Sequence, residues 1–155
     1  MLMNAEQLAE DVLMAPCDTL FGSISGTFDH ILVVAEIFRA PLEGRVHPHQ
    51  ARSRAAPLAF RDVAQRLRAM NTHYVDLAEQ WSAADLAQVI RFDFIGGGSR
   101  AMTRWDILQH LVNHATHHRG FVSTLPFPHR IDLAPNDLTV FLRNVWPGLA
   151  ETPSA

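Results

Sequence analysis

At 155 residues, 48% of them apolar, the chain suits one domain with a sizeable core, and extended disorder is excluded. A formal net charge of −3 with neutral histidines offers no electrostatic attraction for nucleic acid or an anionic membrane surface. No apolar run reaches the roughly 18 residues that a bilayer-spanning helix needs, and the single cysteine, Cys17, cannot form an internal disulfide.

The N-terminal stretch MLMNAEQLAEDVL carries acids and lacks the basic region of a signal peptide, so a cytoplasmic setting is expected. Within it, Asn4 to Met14 has the spacing of a short amphipathic helix, with Leu8, Val12 and Leu13 on one side. Pro16 interrupts it. The stretch GSISGTFDHILVVAEIFRAPLEG then offers Ser23 or Ser25 as an N-cap, a long apolar run, and Pro41 and Gly44 as stop signals. A polar loop, RVHPHQARSRAAP, follows. From Leu58 to Trp81 apolar residues recur near helical spacing with charges between. Asp85 starts a different pattern. Val89, Arg91 and Asp93 alternate with Ile90, Phe92 and Phe94 ahead of three glycines, which predicts a short hairpin. Thr103 is placed to cap a helix running from Arg104 to about Leu125. PFPHRIDLAP reads as a loop, and Asn136 as the N-cap of a last short helix, NDLTVFLRNVW. The expected organisation is one helical domain over residues 1–150 with a small hairpin, and a flexible tail at 151–155.

Four histidines fall within nine residues: His110, His114, His117 and His118. At about 100° per residue, His114 and His118 lie roughly 40° apart on one helix face, with His110 one turn earlier on nearly the same stripe. Such an i, i+4 pair can reach one metal ion. The glutamate of the helical His-Glu-x-x-His motif is missing, since Ala115 holds its place. A reactive site wants a third protein ligand. His30, embedded among Ile31, Leu32, Val33 and Val34, is the best candidate, because a buried imidazole needs partners for both ring nitrogens. The plain alternatives are a core histidine bonded to a backbone carbonyl or hydroxyl, and two histidines on a half-buried face. His110 is a core or supporting residue, and His117 points to a pocket rim or to solvent. His47, His49 and His129 beside prolines, and His73 on a charged helix, are expected at the surface.

ILQHLVNHATHHRG and FGSISGTFDHILVVAEIFRAPLEG together resemble the DinB family, the group of DinB/YfiT-like metalloenzymes. The first block is the more specific, in its His-x3-His followed by Arg-Gly. The second matches in Phe21, the glycine-serine-isoleucine segment and His30, and DLTVFLR resembles the family's closing helix. The resemblance runs from about Phe21 onward. It implies an all-α four-helix bundle, here with a short hairpin inserted, holding a divalent metal on three histidines. By motif position these are His30, His114 and His118. The chain departs from the family pattern in three places. Only about twenty residues precede Phe21, so the usual first helix is shortened or missing. Phe121 stands where glutamine often follows Arg-Gly. Ala35 and Phe38 hold places often occupied by aspartate and tryptophan, with Glu36 one step displaced.

Three neutral imidazoles leave a zinc or nickel ion with open positions, from which a bound thiol or water can be acidified. Characterised relatives, by the same resemblance, include transferases and isomerases that use bacillithiol, mycothiol or glutathione. The first expectation is therefore a metal-dependent thiol S-transferase or related detoxification enzyme acting on a small molecule. Asn113, His117 and Arg119 are candidates to orient polar groups, although Arg119 also suits a helix C-terminus. Cys17 has no neighbour in sequence to lower its pKa and is a poor nucleophile. A metal-dependent hydrolase and a non-catalytic metal-binding stress protein need the same ligands and stay open. A homodimer is also expected, because a shortened first helix would expose HILVVAEIF and the helix from Leu58 to Trp81. The competing arrangement folds Asn4 to Met14 back over that gap in a monomer.

Overall fold

The computed structural model describes residues 2–125 and 138–144 and is mostly helical, with a small two-stranded sheet. In chain order the elements are α1 (Leu2–Ala5), α2 (Glu10–Met14), α3 (Ile24–Leu42), α4 (Phe60–Gln80), α5 (Ala83–Leu86), β1 (Val89–Asp93), β2 (Ser99–Thr103), α6 (Arg104–Val122) and α7 (Leu138–Asn144). Asn136, His129 and the tail at 151–155 lie outside the described residues.

The central element is α3. Ser23 caps it, its hydroxyl accepting from the Gly26 amide at 2.9 Å. Pro41 does not stop the helix, which runs one residue further to Leu42. The stop is a left-handed Gly44 (φ 68°), with the amides of Gly44 and Arg45 donating back to the carbonyls of Pro41 and Ala40. Nearly every residue of α3 is buried, because α2, α4, α6 and β1 all pack on it. α4 supplies Phe60, Val63, Ala64, Leu67 and Met70, one stripe at helical spacing, and leaves its charges outside.

Helix directions follow from the packing. Phe28, early in α3, meets Phe60 at the start of α4, with ring centroids 5.4 Å apart. Later in both helices the Tyr74 hydroxyl donates to the Ala35 carbonyl at 2.7 Å. α3 and α4 therefore run parallel. α6 is antiparallel to both: its first turns place Ile107 against Val34 and Phe38, and its last places Val122 near Phe28 and Ile24. Joining two parallel helices takes a crossover connection. Residues 43–59 are that connection, and they return along α3 from Leu42 to the level of Ser25, whose hydroxyl donates to the Leu58 carbonyl at 3.2 Å.

The hairpin forms as its alternation predicts. Val89 to Asp93 pair antiparallel with Thr103 to Ser99, turning Ile90 and Phe92 inward against Phe38 and Leu42. Thr103 caps α6 in a full capping box with Asp106. A short helix that the sequence pattern did not reveal, α5, starts with the same device, Ser82 with Asp85. Arg104 then stacks over Trp81, 4.7 Å from the ring centre.

At the N-terminus the continuous helix expected over Asn4–Met14 is broken into α1 and α2 by a turn at Glu6–Ala9. The break lets both pieces follow the α3–α4 groove. Ala5 and Leu13 enter the core, the Glu10 carboxylate accepts from the Phe60 amide at 2.8 Å, and Glu6 pairs with Arg68. The Phe60 amide at the start of α4, a helix whose N-cap offers no side-chain cap, is thereby satisfied. HILVVAEIF is covered within the chain, so the exposed gap invoked for dimerisation does not exist on this face.

Candidate metal centre

Near the middle of the α3–α6 contact, His30 meets His114 and His118. One ligand nitrogen from each lies within 4.8 Å of the other two. The Nε2 atoms of His30 and His114 are 3.0 Å apart. Ring centroids are separated by 4.9 Å (His30–His114), 4.7 Å (His30–His118) and 4.5 Å (His114–His118). A tetrahedral ion with bonds of 2.0–2.1 Å holds its nitrogens about 3.3 Å from each other. One pair already stands near that spacing, and the widest gap has to close by at most about 1.5 Å.

The protonation pattern suits a cation. His30 is buried, and its Nδ1 lies 2.6 Å from the Arg52 carbonyl. A carbonyl only accepts, so Nδ1 carries the proton and Nε2 turns a lone pair toward His114. Burial lowers the His30 pKa against the pull of the Arg52 carbonyl. Burial, then the neighbouring imidazoles, push His114 down to about 3; burial, then His30 and His117, push His118 down to about 4. Near neutral pH all three are uncharged, as ligation requires. Among the described residues no carboxylate or thiol joins the group.

Phe21 is a member of the site whose role the sequence did not disclose. Its ring stacks on His30 (centroids 3.9 Å, planes 15° apart) and meets His118 edge-on at 5.4 Å. Gly26 makes this possible. A Cβ there would stand 2.2 Å from the Phe21 carbonyl oxygen, so the turn before α3 approaches the helix only over a glycine. That glycine, three residues after the serine cap, is the signal for close approach in the sequence.

The other histidines separate clearly. His110 lies half-buried one turn before His114, against Phe38 at 4.8 Å, and burial lowers its pKa. His117 is exposed, its ring 5.0 Å from that of His118, and Asn113 is exposed on the same helix. Arg119 is partly buried and donates to Thr116 at 2.8 Å. His47, His49 and His73, expected at the surface, are all partly buried. The crossover presses His49 onto Glu36 at 2.9 Å, and His73 lies 3.3 Å from Glu43. Both correct the surface placement, for the same reason: carboxylates on or just beyond α3 draw the polar connection and α4 inward.

Among curated proteins none matches the chain. The crystal structure of a DinB-like protein from Bacillus cereus superposes with a TM-score of 0.66 over 88% of this chain and 87% of that one, at 20% identity, a likeness of fold. No helix of the described residues is long and apolar enough to cross a membrane. The sequence matches the DinB family over residues 2–125, which takes in all of the elements that build the histidine cluster, and the chain belongs to that family.

Proposed function

We propose that His30, His114 and His118 bind one divalent ion, zinc or nickel, and that the protein is a metal-dependent thiol S-transferase or related detoxification enzyme using a low-molecular-weight thiol. The observation that carries the metal reading is the convergence of three uncharged imidazoles, one of them fixed by a backbone carbonyl with its free nitrogen facing the others. Such an ion, when bound, supplies Lewis acidity that lowers the pKa of a coordinated thiol. The chain's own residues supply the rest. Phe21 walls one side of the cluster with an apolar ring, excluding water there. His117, exposed with its ring 5.0 Å from that of His118, is the candidate to take the thiol proton and return it to solvent. In the transfer a sulfur–carbon bond forms, the bond from that carbon to its leaving group breaks, and the leaving group departs with its electron pair. Asn113 and Arg119 sit on the same helix and are the candidates to orient the electrophile.

The lone, partly buried Cys17 suits a reducing, cytoplasmic setting. In the four-helix reading of the bundle, α7 corresponds to the family's closing helix, which DLTVFLR resembles. The expected homodimer is proposed to use α6 as its seam, where Trp105 and Val112 lie two turns apart and are both exposed. The decisive experiment screens bacillithiol, mycothiol and glutathione against a panel of electrophiles with zinc- or nickel-loaded protein. Loss of thiol that needs both metal and protein supports transfer. Thiol-independent hydrolysis would make the protein a metal-dependent hydrolase, and absence of turnover with stoichiometric metal would make it a metal-binding protein without catalysis.

A further inference from the structure

The crossover between α3 and α4 passes over the face of α3 that carries His30, and named contacts fix its path. His49 Nε2 meets the Glu36 carboxylate at 2.9 Å. Arg54 reaches both acids of α3, donating from Nη2 to Glu36 at 2.8 Å and from Nη1 to Asp29. Further along, Ser25 holds the Leu58 carbonyl. Asp29 is almost fully buried, and burial pushes its carboxyl up against the opposing pull of Arg54. The stretch from Gln50 to Ser53 is exposed, yet its Arg52 carbonyl accepts the Nδ1 proton of His30 at 2.6 Å. That carbonyl is held in place from outside its own segment, and the nearest anchor is Arg54, two residues on.

From this arrangement we infer that Arg54 is a positioning residue for the metal ligand His30. Its guanidinium spans two carboxylates seven residues apart, two turns of α3, and pins the crossover so that the Arg52 carbonyl fixes the His30 tautomer. Asp29 adjoins His30 in sequence, so the clamp and the ligand move together. Arginine suits this because its planar fork can serve two acceptors at once, whereas lysine offers a single point charge. Partners that orient a ligating imidazole typically change metal affinity by 10–100-fold when removed. The inference rests on the metal-binding reading above, and its test separates the two.

The test uses the full chain labelled with 15N-histidine. In chelator-treated wild type, the His30 Nδ1 proton should give a slowly exchanging signal. Arg54→Met should abolish that protection. It should also weaken zinc binding, measured by competition with a chromophoric chelator, by 10–100-fold, and alter the visible absorption of the cobalt-loaded protein. Arg54→Lys should recover part of each. If Arg54→Met does not fold, Glu36→Gln, which leaves the Asp29 contact in place, should show the same changes to a smaller degree. A protected Nδ1 proton together with wild-type zinc affinity in Arg54→Met overturns the inference while leaving the metal centre standing. Should wild type bind no zinc, the metal reading fails, and the Nδ1 signal alone decides: retained in Arg54→Met it refutes the role of Arg54, lost it supports it.

Discussion

Replacing His114 with alanine tests the metal centre at its middle member. His114 Nε2 is 3.0 Å from that of His30, and its ring is 4.5 Å from the His118 ring, so the substitution leaves two ligands with no third between them. An ion that binds only the folded state stabilises it by RT ln(1 + [L]/Kd), about 2.7 kcal/mol when the free ion is at a hundred times its Kd. For a chain of this size 1 kcal/mol moves the melting temperature by about 2–4 °C, so saturating zinc should raise it by about 5–10 °C. In His114→Ala that increment should vanish and stoichiometric metal should be lost. The chelator-treated variant should melt within a few degrees of chelator-treated wild type, since the ring is only half-buried. The assay is a thermal scan of both proteins with zinc and with chelator, beside metal analysis after gel filtration. Wild-type stoichiometry and an undiminished zinc shift in His114→Ala would refute the assignment.

Acid should act in two ways. With folded pKa values held to about 3 and about 4, His114 and His118 bind fewer protons than the same residues unfolded near 6.5, so stability rises with pH across that interval. Urea unfolding in chelator should therefore show loss beginning as pH falls below about 6.5, smaller in His114→Ala; a flat profile contradicts a partly buried cluster whose rings oppose one another's protonation. Bound zinc should be released over the same acid range, since each ligand must be neutral, and zinc retained at pH 4 would argue against imidazole ligation. Gly26→Ala drives a methyl to 2.2 Å from the Phe21 carbonyl, and should cost about 1–3 kcal/mol in denaturant unfolding as well as disturb the ring stacked on His30. An unchanged midpoint would mean that the turn yields freely. Light scattering at micromolar concentration should give twice the 17.3 kDa chain mass for the proposed homodimer, and a value near 17.3 kDa would exclude it.

What was legible in the sequence is what local periodicity encodes. Phe60, Val63, Ala64, Leu67 and Met70 mark the buried stripe of α4, alternation marks β1, and the i, i+4 histidines mark the ligand face of α6. The break at Glu6–Ala9 was not, because Leu8 and Leu13 fit one amphipathic helix as well as two short pieces laid along a groove. Nor was the parallel course of α3 and α4, a tertiary fact that sends a polar, proline-flanked segment back across a buried face. A signal for it was nevertheless present. Asp29 and Glu36 stand inside the apolar run of α3, and a carboxylate taken out of water needs a cation or hydrogen-bond donors. The arginine- and histidine-rich stretch that follows at once supplies them, in Arg54 and His49. His30 shows the same limit: a buried histidine could be either carbonyl-bonded or a ligand, and the structure bonds its Nδ1 to the Arg52 carbonyl while turning its Nε2 toward His114.

That division of labour bears on why the cluster exists. With Nδ1 committed to the Arg52 carbonyl, His30 presents a lone pair to His114 Nε2 at 3.0 Å. Two lone pairs do not face each other at that distance: either His114 donates a proton across the gap or a cation takes both. A shared hydrogen bond satisfies one pair of atoms and leaves His118 outside it. Protonating a ring to supply the charge is opposed by burial and by the neighbouring imidazoles, which is why His114 and His118 titrate so low. Apolar side chains would fill this space at less cost than three polar rings, since buried polar groups replaced by apolar ones of similar shape are often neutral or stabilising. An ion that accepts three lone pairs satisfies all the rings together and needs no proton from any of them. In the metal-binding reading proposed above, the polar rings at the α3–α6 contact, the backbone carbonyl behind His30 and the contact of Arg54 with Asp29 would share one physical purpose, which is to hold three neutral nitrogens toward a single point.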